Sequence, residues 1–405
     1  MNRNGMSRNK RAANPAATTC FPSTTAGVLS RMSDNSEPNG FQDDIPMPTP
    51  ASHASSSDPL HQSRFLKACR LEPTDVTPVW LMRQAGRYMA EYRELRAKVS
   101  FLELCKNPDL ATEVTVTAAE RLGVDAAILF ADILLILEPL GLDLEFAKGE
   151  GPVIHNPVRA ASDVDRIRPM DDPAPLDYVY RAVRSIRSAL PSHIPLIGFA
   201  GAPFTLACYA IEGGGSRHYE TAKSFMYRDP GAWNALMERL VTATALYLNA
   251  QAAAGAQALQ LFDSWVGNLS PEDYRRFVFP HMKRLIASLD PGTPVIHFGT
   301  DTGSLLELQR DAGGAVIGLD WRVELDQAWQ RLGPGVGVQG NLDPIVLFAP
   351  IPEIKRQARR ILDQAAGRPG HIFNLGHGIL PTTPVDHVIA LVEEVHSYQP
   401  RSLPQ

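Results

Sequence analysis

The 405-residue chain lacks several features that would assign it to a class. Its four cysteines, Cys20, Cys69, Cys105 and Cys208, form no Cys-x-x-Cys pair and are too few for a disulfide framework. A reducing compartment, the cytoplasm, is therefore the expected location. Positive charge is not in excess: the formal net charge is −5, which argues against a nucleic-acid partner. No apolar run is long enough for a membrane span. The most apolar stretch, Ala126 to Leu142, is broken by Asp132 and Glu138. No G-x-G-x-x-G follows the first strand-like run, so dinucleotide binding loses its main support.

Large apolar residues are also scarce in residues 1–59, which are rich in Ser, Thr, Pro and Asn. Such a segment buries too little surface to offset its ordering entropy, so a disordered extension is expected there. Its first 33 residues contain no Asp or Glu, a superficial likeness to a transit peptide. They show no clear amphipathic helix, which favours a solvated tail.

From residue 60 to about 400 the chain reads as one domain. Eight short apolar or β-branched runs alternate with helical patterns: Thr77–Met82, Ala126–Ala131, Ile194–Phe199, Ala258–Phe262, Pro294–Phe298, Ala315–Leu319, Gly335–Val338 and His371–Leu375. Asn107-Pro108, Asp229-Pro230, Ser270-Pro271 and Thr383-Pro384 read as N-caps followed by proline. Gly123 and Gly255 stand where helix C-caps belong. Alternating strands and helices imply a parallel sheet covered by helices, and eight units fit a closed (β/α)8 barrel of the TIM type. The long gap between the second and third runs leaves room for an inserted hairpin.

In such a barrel the chemistry lies just past the C-terminal strand ends. Those positions hold Arg83, Gln84 and Arg87, then Asp132, Gly198 to Gly201 with Tyr209 beyond, Asp263 and Ser264, His297, Asp320, Gln339 and Asn341, and Asn374 with His377. Arg83 and Arg87 are four apart around Gly86, which permits close approach or positive φ. They read either as a clamp for a carboxylate or as structural partners of Glu91 and Glu94. Asp132 interrupts an apolar run, as a helix N-cap or as an acceptor for ligand N–H groups. His377 lies between two glycines, exposed to a ligand or tied into its loop. His297, in strand phase, reads as a core histidine. The glycines of Glu212–Ser216 suggest an anion nest, a hinge or, more simply, a turn.

Three segments carry a resemblance. Pro78 to Tyr88 (PVWLMRQAGRY), Gly198 to Thr205 with Tyr209 and Glu212 to Ser216, and Asn374 to Gly378 (NLGHG) closely resemble the signatures of the uroporphyrinogen decarboxylase family. The likeness runs from about Leu60 to Tyr398. It implies a (β/α)8 barrel, a homodimer, and catalysis with neither metal nor organic cofactor. It further implies that uroporphyrinogen loses its acetate carboxyls to give coproporphyrinogen. Asp132, Arg83 and Arg87 are implied as catalytic. Arg83, Gln84, Ala85, Gly86, Arg87, Asp132, Tyr209, Phe262, Ser264 and His377 are implied to contact the substrate, with Phe262 in an apolar floor.

Two rivals follow from the same motifs. A corrinoid-linked methyltransferase on a related barrel needs zinc held by His and Cys, but Phe298 and Gly299 follow His297 and no cysteine lies beyond Cys208. A tetrapyrrole-binding scaffold without activity remains conceivable on fold grounds alone. The joint presence of the Arg pair, Asp132, Tyr209, Ser264 and His377 speaks against it.

Overall fold

The computed structural model describes residues 58–147 and 151–399. The extension read over 1–59 lies, up to residue 57, outside the described residues. In chain order the strands are β1 (Ala127–Ile128), β2 (Leu144–Ala147), β3 (Gly151–Ile154), β4 (Leu196–Gly201), β5 (Ala258–Asp263), β6 (Val295–Gly299), β7 (Val316–Gly318), β8 (Gly337–Gln339) and β9 (His371–Ile372). Seven of them form a parallel sheet in the order β1-β4-β5-β6-β7-β8-β9. The expected insertion is the antiparallel hairpin of β2 and β3. The strands of the parallel sheet are buried along almost their whole length, as covering helices require.

The sheet is curled. Nε2 of Gln339 on β8 donates to Oε1 of Gln260 on β5 at 3.1 Å, although β6 and β7 lie between them in the sheet. In a flat sheet three steps of about 4.8 Å would keep these side chains apart. Trp80 Nε1 donates to Gln339 Oε1 at 2.9 Å, so the first run also reaches the interior.

That first run, Thr77–Met82, is not a strand. Its ladder is a single parallel bridge, Val79 to Phe373, plus one bond on the other side from Asp125 N to Val79 O at 2.8 Å. Side chains occupy the donors a ladder would use. Asp125 Oδ2 takes Val79 N at 2.8 Å, Gln84 Oε1 takes Leu81 N at 3.3 Å, and Asn374 Oδ1 takes Met82 N at 3.1 Å.

Asp125 also accepts from His396 Nε2 at 2.8 Å and pairs with Arg64 at 3.3 Å, joining the first run to both ends of the domain. Asp125→Ala should therefore cost about 2–4 kcal/mol, since it strands a buried N–H and takes the carboxylate away from Arg64 and His396. Urea unfolding checks this; a loss below about 0.5 kcal/mol would reduce the cluster to surface decoration.

The caps at Asn107, Asp229 and Ser270 form as expected, each side chain accepting a first-turn N–H. Gly123 and Gly255 end their helices with φ of 65° and 118°. The fourth cap does not form. The last helix begins at Val385 after Pro384, with no side-chain cap, and Thr383 is buried with its hydroxyl unbonded.

Candidate active site

The turn after the first run presents Arg83 and Arg87. Its positive φ falls on Arg83 itself, at 61°, and not on Gly86. Gly86 serves close approach instead: a Cβ there would lie 3.2 Å from Arg83 O. Gln84 is 1% exposed and turned inward, its amide bonded to Leu81 N and Ala126 O, with Ala85 half-buried beside it. Gln84 thus shapes the turn. Both arginines are exposed, and among the described residues neither guanidinium has a hydrogen-bond or ion-pair partner. Glu91 pairs with Arg121 at 3.0 Å, which removes it as a partner for the arginine pair.

Asp132 follows β1, and its Oδ1 accepts Leu134 N at 2.9 Å, so the N-cap-like bond exists. It leaves the rest of the carboxylate free. Burial pushes this carboxyl up to about 6, against the Leu134 N–H and the charge of Arg83, which pull it down.

Tyr209 lies on the helix Pro203–Glu212, which starts just after β4. Its ring stacks on Trp265 at 3.9 Å between centroids, and Tyr219 lies 4.7 Å from the same indole. Burial, then the Asp132 charge, raise its hydroxyl above the ordinary tyrosine value, with Arg83 opposing. It stays a phenol at neutral pH.

At the end of β5, Phe262 packs edge-on between Phe199 (5.5 Å) and Phe298 (6.0 Å). Ser264 follows, half-buried, its carbonyl held by the Thr300 hydroxyl. Between them Asp263 is fully buried, bonded to Thr205 Oγ1 at 3.0 Å, with Oδ2 unpartnered. Burial holds it at about 7.

His377 is half-buried and held down at about 4, first by burial, then by Arg83 and Arg322, with Asp320 opposing. It is a neutral imidazole at pH 7. Arg83 thus acts on Asp132, Tyr209 and His377 alike, which brings these four together from separated segments. Phe262 and Ser264 join through Trp265, the residue after Ser264, on which Tyr209 stacks.

His297 is buried, as read from its strand phase, and burial takes it down to about 4. The glycine loop is pinned. Gly213 O accepts Ile154 N at 2.8 Å, and Gly214 bridges Val153 of the hairpin. Among the described residues no three His, Cys, Asp or Glu side chains are grouped as metal ligands.

Residues 60–398 match the family model described as Uroporphyrinogen decarboxylase (URO-D). The chain belongs to that family. A uroporphyrinogen decarboxylase of Sorangium cellulosum is 61% identical over 84% of this chain and 97% of its own length. One from Carboxydothermus hydrogenoformans is 57% identical over 84% of this chain and 98% of its own. A methyltransferase from Methanosarcina mazei has the same fold, with a TM-score of 0.67, 20% identity and coverage of 82% and 97% of the two chains. At that identity the likeness concerns the fold alone.

Sequence reasoning passed over Trp265 and Arg322. Trp265 has a sequence signal in hindsight, since it directly follows the strand-end Ser264; Arg322 has none of its own.

Proposed function

We propose that the chain removes CO₂ from the four acetate side chains of uroporphyrinogen III, giving coproporphyrinogen III for tetrapyrrole biosynthesis, without metal or organic cofactor. Asp132 carries this reading. It is a carboxylate raised to about 6 beside an unpaired arginine, within a family whose members bear this activity in their names. At pH 7 it is largely ionised, and most of its lone pairs have no protein donor.

Uroporphyrinogen carries carboxylates around its rim and four N–H groups at its centre. Arg83 and Arg87 suit the former as forked donors, and Asp132 suits the latter as a shared acceptor. Phe262 and its aromatic neighbours form an apolar floor, with Tyr209, Ser264 and His377 at the walls. A proton added to a pyrrole ring carbon makes an iminium-like cation. The C–CO₂ bond then breaks, its electron pair neutralises that cation, and CO₂ leaves. A second proton reaches the freed methylene to make the methyl, and the ring carbon returns its own proton. The substrate is thus its own electron sink. Asp132 stabilises the cation electrostatically, an effect commonly worth several kcal/mol. Tyr209 retains its proton and His377 is neutral, so neither brings positive charge that would oppose the cation.

The same reading covers the architecture. Thr77–Met82 serves as the eighth stave of a closed (β/α)8 barrel over residues 60–400, supported by its bonds to Phe373 on one side and Asp125 on the other. The chain works as a homodimer; the exposed Ile345, Phe348 and Ile351, in one stretch after β8, offer an apolar surface for a second copy. A cytoplasmic location agrees with the free thiols of Cys69, Cys105 and Cys208. Among the described residues no helix is long and apolar enough to cross a membrane.

Anaerobic incubation with uroporphyrinogen III in the presence of a chelator, followed by oxidation and chromatography, tests the activity. Porphyrins with seven, six, five and finally four carboxylates should appear in turn. Folded protein that leaves the eight-carboxylate form untouched overturns the reading. Arg83→Ala and Arg87→Ala should each raise KM roughly tenfold to a hundredfold, as expected for a lost charged hydrogen bond of about 1.5–3 kcal/mol. Steady-state kinetics checks this, and an unchanged KM would return the pair to a structural role.

A further inference from the structure

The loop that carries His377 lies between Arg83 and the corner that carries Arg322, and the carboxylate clamp uses only the first of these arginines. A Cβ at Gly378 would meet Arg83 Cδ at 2.4 Å, so the loop presses against Arg83 on one side. A Cβ at Gly376 would meet the backbone N of Trp321 at 2.4 Å, so the loop presses on its other side against the corner that carries Arg322. That corner is rigid. Asp320 is 1% exposed and accepts Asp301 N at 2.7 Å and Arg322 N at 3.2 Å. Its Oδ2 also takes Arg322 Nη1 at 2.5 Å, and Asn341 Nδ2 holds its carbonyl at 2.8 Å. The Arg322 guanidinium stacks 4.1 Å from the Trp321 ring, and its Nε lies 3.4 Å from Asp301.

Arg322 is thus held in place yet not used up. Its side chain is 43% exposed, and among the described residues Nη2 has no hydrogen-bond acceptor. A guanidinium needed only to neutralise Asp320 has no reason to be stacked at the edge of the His377 loop. A clamp on one side leaves the carboxylates on the far side of the macrocycle's rim without a cation. We propose that Arg322 is a second carboxylate anchor, binding a side-chain carboxylate of the porphyrinogen on the side of His377 away from Arg83 and Arg87. This rests on the decarboxylase reading for the identity of its ligand.

The test compares parent, Arg322→Gln and Arg322→Lys. One measurement is KM and kcat with uroporphyrinogen III. The other is the Kd of oxidised uroporphyrin, read by quenching of tryptophan fluorescence, with thermal unfolding as a folding control. Arg322→Gln should raise both KM and Kd roughly tenfold while kcat stays within about threefold, the pattern of lost uniform binding. Arg322→Lys keeps the charge over Asp320 and loses the fork, and should weaken binding at least about threefold. If the glutamine variant does not fold, the lysine variant decides. Parental Kd in the folded variants, or a loss confined to kcat, overturns the anchor. A parent that binds uroporphyrin without decarboxylating the reduced form sinks the decarboxylase reading, and the anchor is then judged on Kd alone. A parent that does not bind overturns both.

Discussion

Asp132→Asn should give a protein more stable than the parent at pH 7 and at least about a hundredfold slower, the usual cost of losing a charge aimed at a transition state. The two effects have one origin. Burial holds Asp132 at about 6 in the folded chain, against an ordinary value of 3.8. The folded state therefore binds this proton more tightly than the unfolded state does. Below about pH 4 the carboxyl is protonated in both states and costs nothing. Between about 4 and 6 the penalty grows, and above 6 it is complete. The rise from 3.8 to about 6 sets a ceiling on the order of 3 kcal/mol, and a half-buried group warrants about 1–2 kcal/mol. Asparagine keeps an oxygen for the Leu134 N–H. Unfolding at pH 7 and at pH 4 should show a gain at the first and none at the second. An asparagine variant that is still active would show that the Asp132 charge does not drive the reaction, and one less stable at pH 7 would show that burying that charge costs the fold nothing.

Gly376→Ala and Gly378→Ala, two residues apart, should fail in different ways. At Gly376 the added methyl meets backbone, Trp321 N at 2.4 Å and Asp320 C at 3.0 Å, which has nowhere to go. A loss of about 1–3 kcal/mol is expected, as for overpacking elsewhere. At Gly378 the three atoms nearest the methyl all belong to the Arg83 side chain, which yields more easily than backbone. Stability should then change by less than about 1 kcal/mol, while KM rises as far as in Arg83→Ala. The double variant Gly378→Ala/Arg83→Ala should be no worse than Arg83→Ala, because the glycine acts through that arginine. Additive losses would show that Gly378 serves the site by another route.

These glycines also show what was and was not legible in the sequence. The Asn-Leu-Gly-His-Gly motif marked the loop, but which neighbour each glycine admits depends on sheet register that no local pattern encodes. Seven of the eight strand-like runs are strands, shifted by a few residues, because parallel strands buried on both faces read as plain apolar runs. Thr77–Met82 has the same composition and differs only in its partners. Asp125, Gln84 and Asn374, from near neighbours in the chain to its far end, take its amide donors. Asp132 was legible as a carboxylate out of place in an apolar run. Arg322 was not, since one arginine in a loop carries no signal until Asp320, Trp321 and the glycine corner are seen together. The positive φ went to Arg83 and not to Gly86, as only a structure could show.

In the proposed reaction one half-buried carboxylate, working ionised beside arginine, takes the place of a cofactor. The pH dependence of kcat/KM for the parent, measured with chelator present, bears on this without any substitution, because that ratio reports ionisations of the free enzyme. An acid limb with a midpoint near 6 is expected, activity falling as Asp132 takes up its proton. A profile that stays flat through pH 6, or rises as the pH drops through it, would mean that the ionised carboxylate is not what drives the decarboxylation.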